Sequence, residues 1–158
     1  MPGSVGEFRR PGFRGVLVGR VADVHRFLEA LRRAGEQRMK WVDYLGRALP
    51  VEQLFHFTLE TFAEQLKEAV APFVERMASG TFYVRLERRG FKGRIISPEV
   101  ERALDTYLIN LAAGQGKTLQ VSFENPDDVI VAETVSNTCG VALLTRELRT
   151  RYPFMKIR

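Results

Sequence analysis

The most constraining feature of this sequence is a well-marked helix followed by three strand-like segments. Ser97-Pro98-Glu99 is typical of a helix start, because a hydroxyl can cap it, proline fits its first turn and an acid favours its positive end. An apolar stripe at helical spacing follows: Val100, Ala103, Leu104, Tyr107, Leu108 and Leu111. Strands are then predicted over about residues 118–123, 129–135 and 138–144, with Asn125-Pro126-Asp127 as a turn. The chain therefore belongs to the α+β class.

The first half of the chain adds two strands and a helix to this pattern. Residues 13–21 form a β-rich apolar run, and Asp23 is placed to cap a helix that ends at about Ala34-Gly35. Pro50 punctuates the chain, and residues 51–57 indicate a further strand.

Residues 61–87 predict a broken helix and an alternating strand. Thr61 and Glu64 fit a capping box at the start of the helix, and Pro72 should split it or kink it. Ser79-Gly80 ends this segment, and residues 82–87 alternate apolar with charged side chains. The alternation predicts that two sets of residues lie on opposite faces of the strand, Tyr83, Arg85 and Glu87 against Phe82, Val84 and Leu86.

Gly116-Lys117-Thr118 resembles the end of a phosphate-binding loop, but its surroundings do not fit nucleotide binding. The motif needs a glycine five residues earlier, where this chain has Leu111. The phosphate loop also leads from a strand into a helix, whereas here a predicted helix leads into a strand. Gly114 and Gly116 therefore indicate a helix end and a turn.

Basic charge is grouped into segments of the chain. The net charge is +5, and the segment 98–144 between the two basic groups is acidic. The first group consists of Arg85, Arg88, Arg89, Lys92 and Arg94, and the second of Arg146, Arg149, Arg151, Lys156 and Arg158. Such grouping is expected of a surface that tracks phosphates.

Several classes of protein are excluded or disfavoured by composition. No apolar run approaches the roughly 18 residues that cross a membrane, and the N-terminus lacks the apolar stretch of a secretory signal. The single cysteine, Cys139, excludes an internal disulfide, and neither His25 nor His56 has metal ligands at the usual spacing. We therefore expect no membrane association, no metal, no cofactor and a cytoplasmic location.

Three stretches together resemble the THUMP domain. They are Gly80 to Gly90 (GTFYVRLERRG), Ser97 to Leu108 (SPEVERALDTYL) and Val121 to Glu133 (VSFENPDDVIVAE). Their order is similar to that of the family over roughly residues 58–144: a strand with F-x-V-R, a serine-started helix, and two strands joined by N-P-D. The ending SNTCGVALLTREL resembles the stand-alone members that are similar to the adaptor of the eukaryotic tRNA cytidine acetyltransferase.

This resemblance implies both a fold and a role. The implied fold is α+β, with a small N-terminal ferredoxin-like-type domain at residues 1–57 and a THUMP-type α/β domain with a basic C-terminal tail at residues 58–158. The implied role is to bind tRNA or other structured RNA and present it to a separate modification enzyme, in the adaptor branch an enzyme of cytidine acetylation. The chain lacks the glycine loops, deaminase motif and adenylation loop of enzymatic relatives, so we expect a non-catalytic module.

The candidate RNA surface combines both basic groups. Its predicted phosphate contacts are Arg85, Arg88, Arg89, Lys92, Arg94, Lys117, Arg146 and Arg149, and Phe91 is predicted to stack on an unpaired base. Arg85 could instead pair with Glu133 inside the fold, and the whole face could simply be solvated. The alternative functions are a protein-interaction subunit whose basic surface docks an acidic partner, and an enzyme of unrecognised type.

Overall fold

The computed structural model describes residues 6–157, and the chain divides into two compact units. Unit 1 is Met1–Pro50 with Tyr152–Lys156, and unit 2 is Val51–Arg151 with Ile157–Arg158. The predicted domains, 1–57 and 58–158, differ from this division in two places. Residues 51–57 belong to unit 2, and Tyr152–Lys156 of the predicted basic tail belong to unit 1. Residues 1–5 of the predicted first domain and Arg158 of the basic tail lie outside the described residues.

Unit 1 is built from a small antiparallel sheet and one α-helix. Its elements are β1 (Gly6–Arg9), β2 (Val18–Val21), α1 (Val24–Glu36) and a 3-10 turn (Lys40–Tyr44). β1 pairs with β2 in antiparallel register, and the prediction from sequence missed β1 because four residues are too few to show alternation. A complete ferredoxin-like unit has four strands and two helices, of which residues 6–50 contain two strands and one α-helix.

The two ends of α1 are fixed by different devices. The Asp23 side chain accepts a hydrogen bond from the Arg26 backbone N–H at 3.1 Å, which confirms the predicted cap. The helix runs past Gly35 to Glu36, so the predicted end at Ala34-Gly35 was two residues early. Arg38 stops it, with a backbone φ of 54° in the left-handed region.

Unit 2 is a mixed five-stranded sheet with helices against one face. Its elements are β3 (Gln53–His56), α2 (Phe62–Val70), α3 (Phe73–Arg76), β4 (Gly80–Glu87), α4 (Ser97–Gly114), β5 (Leu119–Val121), β6 (Asp128–Val135), β7 (Thr138–Thr145) and α5 (Arg146–Arg151). The strand order is β3-β7-β6-β4-β5. β4 runs parallel to both β5 and β6, whereas β7 is antiparallel to β6 and β3. The predicted α+β class is confirmed.

The core of unit 2 lies between the sheet and helices α2, α3 and α4. Phe82, Val84 and Leu86 are buried in it, which confirms the predicted alternation along β4. Leu104 and Leu108 of α4 are buried in the same core. Burying apolar side chains of this size contributes about 1.5–3 kcal/mol each, so this core supplies most of the stability of the unit.

The helices of unit 2 begin where the sequence predicted, but without the predicted side-chain caps. α2 and α3 are separate helices on either side of Pro72, as the proline predicted. Thr61 does not form the predicted capping box, because its hydroxyl contacts Thr58 and Gln65 instead of a helix amide. The Ser97 hydroxyl does not cap α4 either, since Ser97 lies inside the helix and Ile96 occupies the cap position.

Candidate nucleic-acid interface

The predicted RNA-binding residues, apart from Arg85, lie near the two ends of β4. β4 and β6 are parallel and in register from Phe82–Asp128 to Glu87–Glu133, and β7 ends at Thr145, opposite Asp128. Arg88, Arg89, Lys92 and Arg94 therefore follow the carboxyl end of β4, whereas Lys117, Arg146 and Arg149 lie near its amino end. Eight residues of strand separate the ends by about 23 Å at roughly 3.3 Å per residue. The structure brings together two groups, not one patch.

The β4–α4 loop, residues 88–96, has a fixed backbone. Gly90, Phe91 and Gly93 all have positive φ, at 102°, 53° and 77°. A Cβ at Gly90 would come within 3.3 Å of the Ser136 backbone, so this position favours glycine on both counts. The spacing Gly90-Phe-Lys-Gly93 was the signal that could have predicted a tight loop, because paired glycines mark left-handed turns.

Phe91 packs the β4–α4 loop against the core of unit 2. Its ring is half-buried against the core of unit 2 and lies 5.7 Å from the ring centroid of Phe57. In this conformation the Phe91 ring packs on the core of unit 2 and positions the loop that carries the basic side chains. Its stacking on an unpaired base stays a prediction.

Two of the loop arginines are used inside the protein. Arg89 forms an ion pair with Glu133 at 2.9 Å, and its backbone N–H donates to the Thr134 hydroxyl at 3.0 Å. Arg88 donates from its guanidinium to the Gly90 carbonyl at 2.6 Å. The pairing with Glu133 that was considered for Arg85 is therefore made by Arg89.

Lys92 and Arg94 are the exposed cations of the loop. The charge of Arg94 acts on the nearby carboxyl of Glu60. The pKa of Glu60 is lowered by hydrogen bonds from the Glu60 backbone amide and from Thr58, and Arg94 lowers it further. An open groove of about 500 Å³ adjoins Arg94, and its walls are formed by residues of α2, the loop and α4, including Phe62 and Ile96. This end of the sheet therefore presents two exposed cations beside an open groove, an arrangement suited to contacts with phosphates.

Arg85 lies on the sheet face between the two groups. Its guanidinium carbon is 5.5 Å from the ring centroid of Tyr83, and its Nε is buried without a hydrogen-bond partner among the described residues. Stacking on a tyrosine ring stabilises a guanidinium by about 0.5–1 kcal/mol. Arg85 is thus a half-buried residue of the sheet, separate from the exposed loop.

Lys117 caps a helix. Its ammonium donates to the carbonyl oxygens of Val74 and Glu75, at 2.7 and 3.2 Å, where α3 ends. The last carbonyls of a helix lack partners within the helix, and a lysine is a common way to satisfy them. The Lys117 ammonium, which the sequence suggested as a phosphate contact, is therefore hydrogen-bonded within the fold.

Arg146 and Arg149 hold the turn between β5 and β6. Arg146 donates to the Asn125 carbonyl at 2.6 Å and pairs with Asp127 at 3.0 Å, and Arg149 donates to the Pro126 carbonyl. The Asp127 carboxylate also accepts from the backbone N–H of Thr81, the contact that most lowers its pKa. Asn125 and Asp127 therefore shape the turn, and the two tail arginines serve it too.

Other kinds of site find no support in the part of the chain from residue 6 to residue 157. No group of three or more histidine, cysteine or acidic side chains is arranged there to hold a metal ion. No helix in that range has the length and apolar character that a membrane span requires.

Solved structures of other proteins contain folds similar to this one. PH1313 from Pyrococcus horikoshii Ot3 aligns over 87% of this chain and 42% of its own, with 14% identity and a TM-score of 0.56. The THUMP domain of THUMP domain-containing protein 1 aligns over 54% of this chain and 87% of its own, with 22% identity and a TM-score of 0.46. A 4-thiouridine synthetase–RNA complex with bound ATP aligns over 87% and 39%, with 18% identity and a TM-score of 0.44. The chain thus spans less than half the length of PH1313.

The family assignment rests on the sequence as well as on the fold. No curated protein sequence shows a significant match. A model of the THUMP domain matches residues 57–144, which is more than half of the 158 residues. The matched segment begins just after β3 and ends in β7, so it contains the helices, the loop and the central strands described above. The chain belongs to the THUMP domain family.

Proposed function

We propose that this protein binds structured RNA, with tRNA as the ligand, and presents it to a separate modification enzyme. The observation that carries the proposal is the β4–α4 loop, which exposes Lys92 and Arg94 on a backbone fixed by Phe91 and by the Arg89–Glu133 pair. A preformed loop loses little conformational entropy on binding, so more of the electrostatic attraction to phosphates is retained as affinity.

Membership of the THUMP family supports this proposal, because the sequence resemblance implies delivery of tRNA to modification chemistry. The resemblance of Ser136 to Leu148 to stand-alone adaptors supports cytidine acetylation as that chemistry. In this proposal the chain itself is non-catalytic and acts in the cytoplasm, where it meets the tRNA and the enzyme.

The test is binding to intact tRNA and to tRNA without its single-stranded 3′ end, at several salt concentrations. The informative variant is Lys92→Ala with Arg94→Ala, since both side chains are exposed on the loop. The matched control is Lys67→Ala with Arg102→Ala, which removes the same charge from the helices of unit 2. Loss of two phosphate contacts should flatten the log–log salt slope by about 0.7–0.9 per contact.

The proposal predicts tight binding that weakens in the loop variant, keeps its strength in the control and falls when the 3′ end is removed. Equal, weak binding of the wild-type protein to every RNA would overturn it. The basic surface would then be better tested against an acidic protein partner.

A further inference from the structure

We propose that Trp41 and Tyr44 of unit 1 form a second RNA contact, in which their rings stack on unpaired bases. This inference rests on the proposed RNA-binding function. Trp41 is 45% exposed and Tyr44 is 90% exposed, with Met39 beside them at 44%. Aromatic side chains of this size usually contribute their area to a core, so two exposed rings on one short segment indicate a binding surface.

The 3-10 turn places the two rings on the same side. Side chains three residues apart eclipse each other in a 3-10 helix, and Trp41 and Tyr44 have this spacing within the turn Lys40–Tyr44. At a rise of about 2.0 Å per residue, they are offset by about 6 Å along the axis. The two side chains therefore leave the same side of the turn, where each ring is available to stack on a base.

The backbone that carries the rings is well ordered by hydrogen bonds. The N–H of Val42 donates to the Met39 carbonyl at 3.0 Å, and the N–H of Leu45 donates to the Val42 carbonyl at 3.1 Å. Just before the turn, the N–H of Met39 reaches back to the Ala34 carbonyl at 3.2 Å, which completes a Schellman motif at the end of α1. The aromatic pair is therefore held in a fixed place relative to α1.

The aromatic pair lies in a basic segment, and this combination favours RNA as the ligand. An acidic protein surface would be bound by the cations alone and would not require the exposed rings. Arg38 and Lys40 are exposed within three residues of Trp41, and Arg33 is exposed in the last turn of α1. Of the two acids in this segment, Glu36 is paired with Arg32 at 2.5 Å, which leaves Asp43. Rings interleaved with cations are how proteins bind single-stranded nucleic acid, by stacking on bases and attracting phosphates.

Arg38 strengthens the argument because it occupies a strained position. The left-handed position that ends a Schellman motif is usually glycine, yet here an arginine adopts φ 54°. Glycine would relieve this strain but would remove the exposed guanidinium three residues before Trp41. Arg38→Gly should therefore raise the melting temperature while it weakens RNA binding, two effects that a purely structural role would not combine.

The direct test uses Trp41 fluorescence, since the chain has one tryptophan. The probes are single-stranded oligoadenylate, a blunt RNA duplex of equal length and intact tRNA. We expect oligoadenylate and tRNA to quench the indole and the duplex to leave it unchanged. Trp41→Ala and Tyr44→Ala should each weaken oligoadenylate binding by roughly 5- to 150-fold, and Trp41→Phe should retain most of it. Leu17→Ala, which removes another exposed apolar side chain of unit 1, is the control.

Each result has a distinct meaning. Wild-type binding to tRNA without quenching, and with unchanged affinity in Trp41→Ala, would overturn this inference and leave the proposed function standing. Equal quenching by the duplex would also overturn it, because stacking needs unpaired bases. A wild-type protein that binds none of the RNAs would overturn both proposals. Circular dichroism of each variant separates loss of binding from loss of folding. Trp41→Phe serves the same purpose, because it keeps an aromatic ring at the position.

Discussion

The guanidinium of Arg89 lies 2.9 Å from a carboxylate oxygen of Glu133, across the carboxyl ends of two parallel strands. Each side chain is 18% exposed. The Arg89 carbonyl also accepts from the Ser136 backbone N–H at 2.9 Å, so side chain and backbone together tie the β4–α4 loop to the β6–β7 turn. The basic loop is thus anchored by one of its own arginines, and the exposed cations follow the anchor in sequence.

Removing this anchor should destabilise the protein. Arg89→Met would leave Glu133 largely buried without its ion-pair partner, which we expect to lower the free energy of unfolding by about 2 kcal/mol. Denaturant unfolding measures this loss, and Lys92→Met should change the free energy by less than about 0.5 kcal/mol because Lys92 is exposed. In the double variant with Glu133→Gln, the loss should be smaller than the sum of the two single losses. Strict additivity would show that the pair contributes nothing as a pair.

A second prediction concerns the packing of Gly80 against Asp127. A Cβ at Gly80 would lie 2.2 Å from a carboxylate oxygen of Asp127, the oxygen that accepts from the Thr81 N–H at 2.9 Å. Gly80→Ala must therefore displace the carboxylate, and we expect a loss of about 1–3 kcal/mol in denaturant unfolding. Because Asp127→Ala removes the obstacle, Gly80→Ala should cost much less in that background.

The control for that prediction is Gly35→Ala. Gly35 lies in α1 with no atom within 4 Å of an added Cβ, so the change should stabilise the protein by up to about 1 kcal/mol. An equal cost of Gly80→Ala with and without Asp127 would mean that the clash is with another group.

The sequence predicted those features that depend on neighbouring residues. The periodicity of residues 100–111 and the alternation of residues 82–87 both reflect which side chains face the core. The alternation is confirmed, and the predicted stripe of α4 faces the core except at Ala103, which is exposed. Pro72 breaks a helix by its own geometry, without reference to the rest of the fold. The same locality explains why the family could be identified from three short stretches.

Features that depend on tertiary register were not predictable. The choice of Arg89 and not Arg85 as the partner of Glu133 follows from how β4 and β6 align, which no local pattern encodes. Lys117 and the two tail arginines looked like free cations in the sequence, because the carbonyls that bind them belong to distant segments. Charge alone therefore could not show which of these cations form hydrogen bonds within the fold, and their contacts with RNA stay predictions.

The buried thiol of Cys139 provides a third prediction. Cys139 has no exposed surface, and burial raises the pKa of its thiol to about 12. The thiolate is the reactive form, so the native protein should react with an aromatic disulfide reagent far more slowly than the unfolded protein does. Absorbance during labelling, with and without denaturant, gives both rates. Rapid labelling of the native protein would show that β7 opens readily.

A fourth prediction concerns pH and Asp105 in the middle of α4, one helical turn after Glu101. Glu101 accepts from the Leu86 N–H at 2.7 Å, at the edge of β4 beyond the end of β5. Asp105 is half-buried, and one of its carboxylate oxygens has no hydrogen-bond partner among the described residues. Its burial, and to a smaller extent repulsion from Glu101, raises its pKa from 3.8 to about 6. The folded protein therefore binds this proton more tightly than the unfolded chain does.

The sign of the pH effect follows from that difference. The stabilising contribution of protonated Asp105 is present below about pH 4 and is lost as the pH rises through about 6. Asp105→Asn should therefore be more stable than the wild type by about 1 kcal/mol at pH 7.5 and equally stable near pH 4. The value at pH 7.5 is reduced for solvent screening, because Asp105 is half-exposed. Thermal unfolding across this range measures the difference. Glu99→Gln, at the exposed start of the same helix, should instead lose a few tenths of a kcal/mol at pH 7.5, because it removes an acid from the positive end of the helix dipole. A gain for Asp105→Asn that is the same at both pH values would show that packing, and not the charge of Asp105, is responsible.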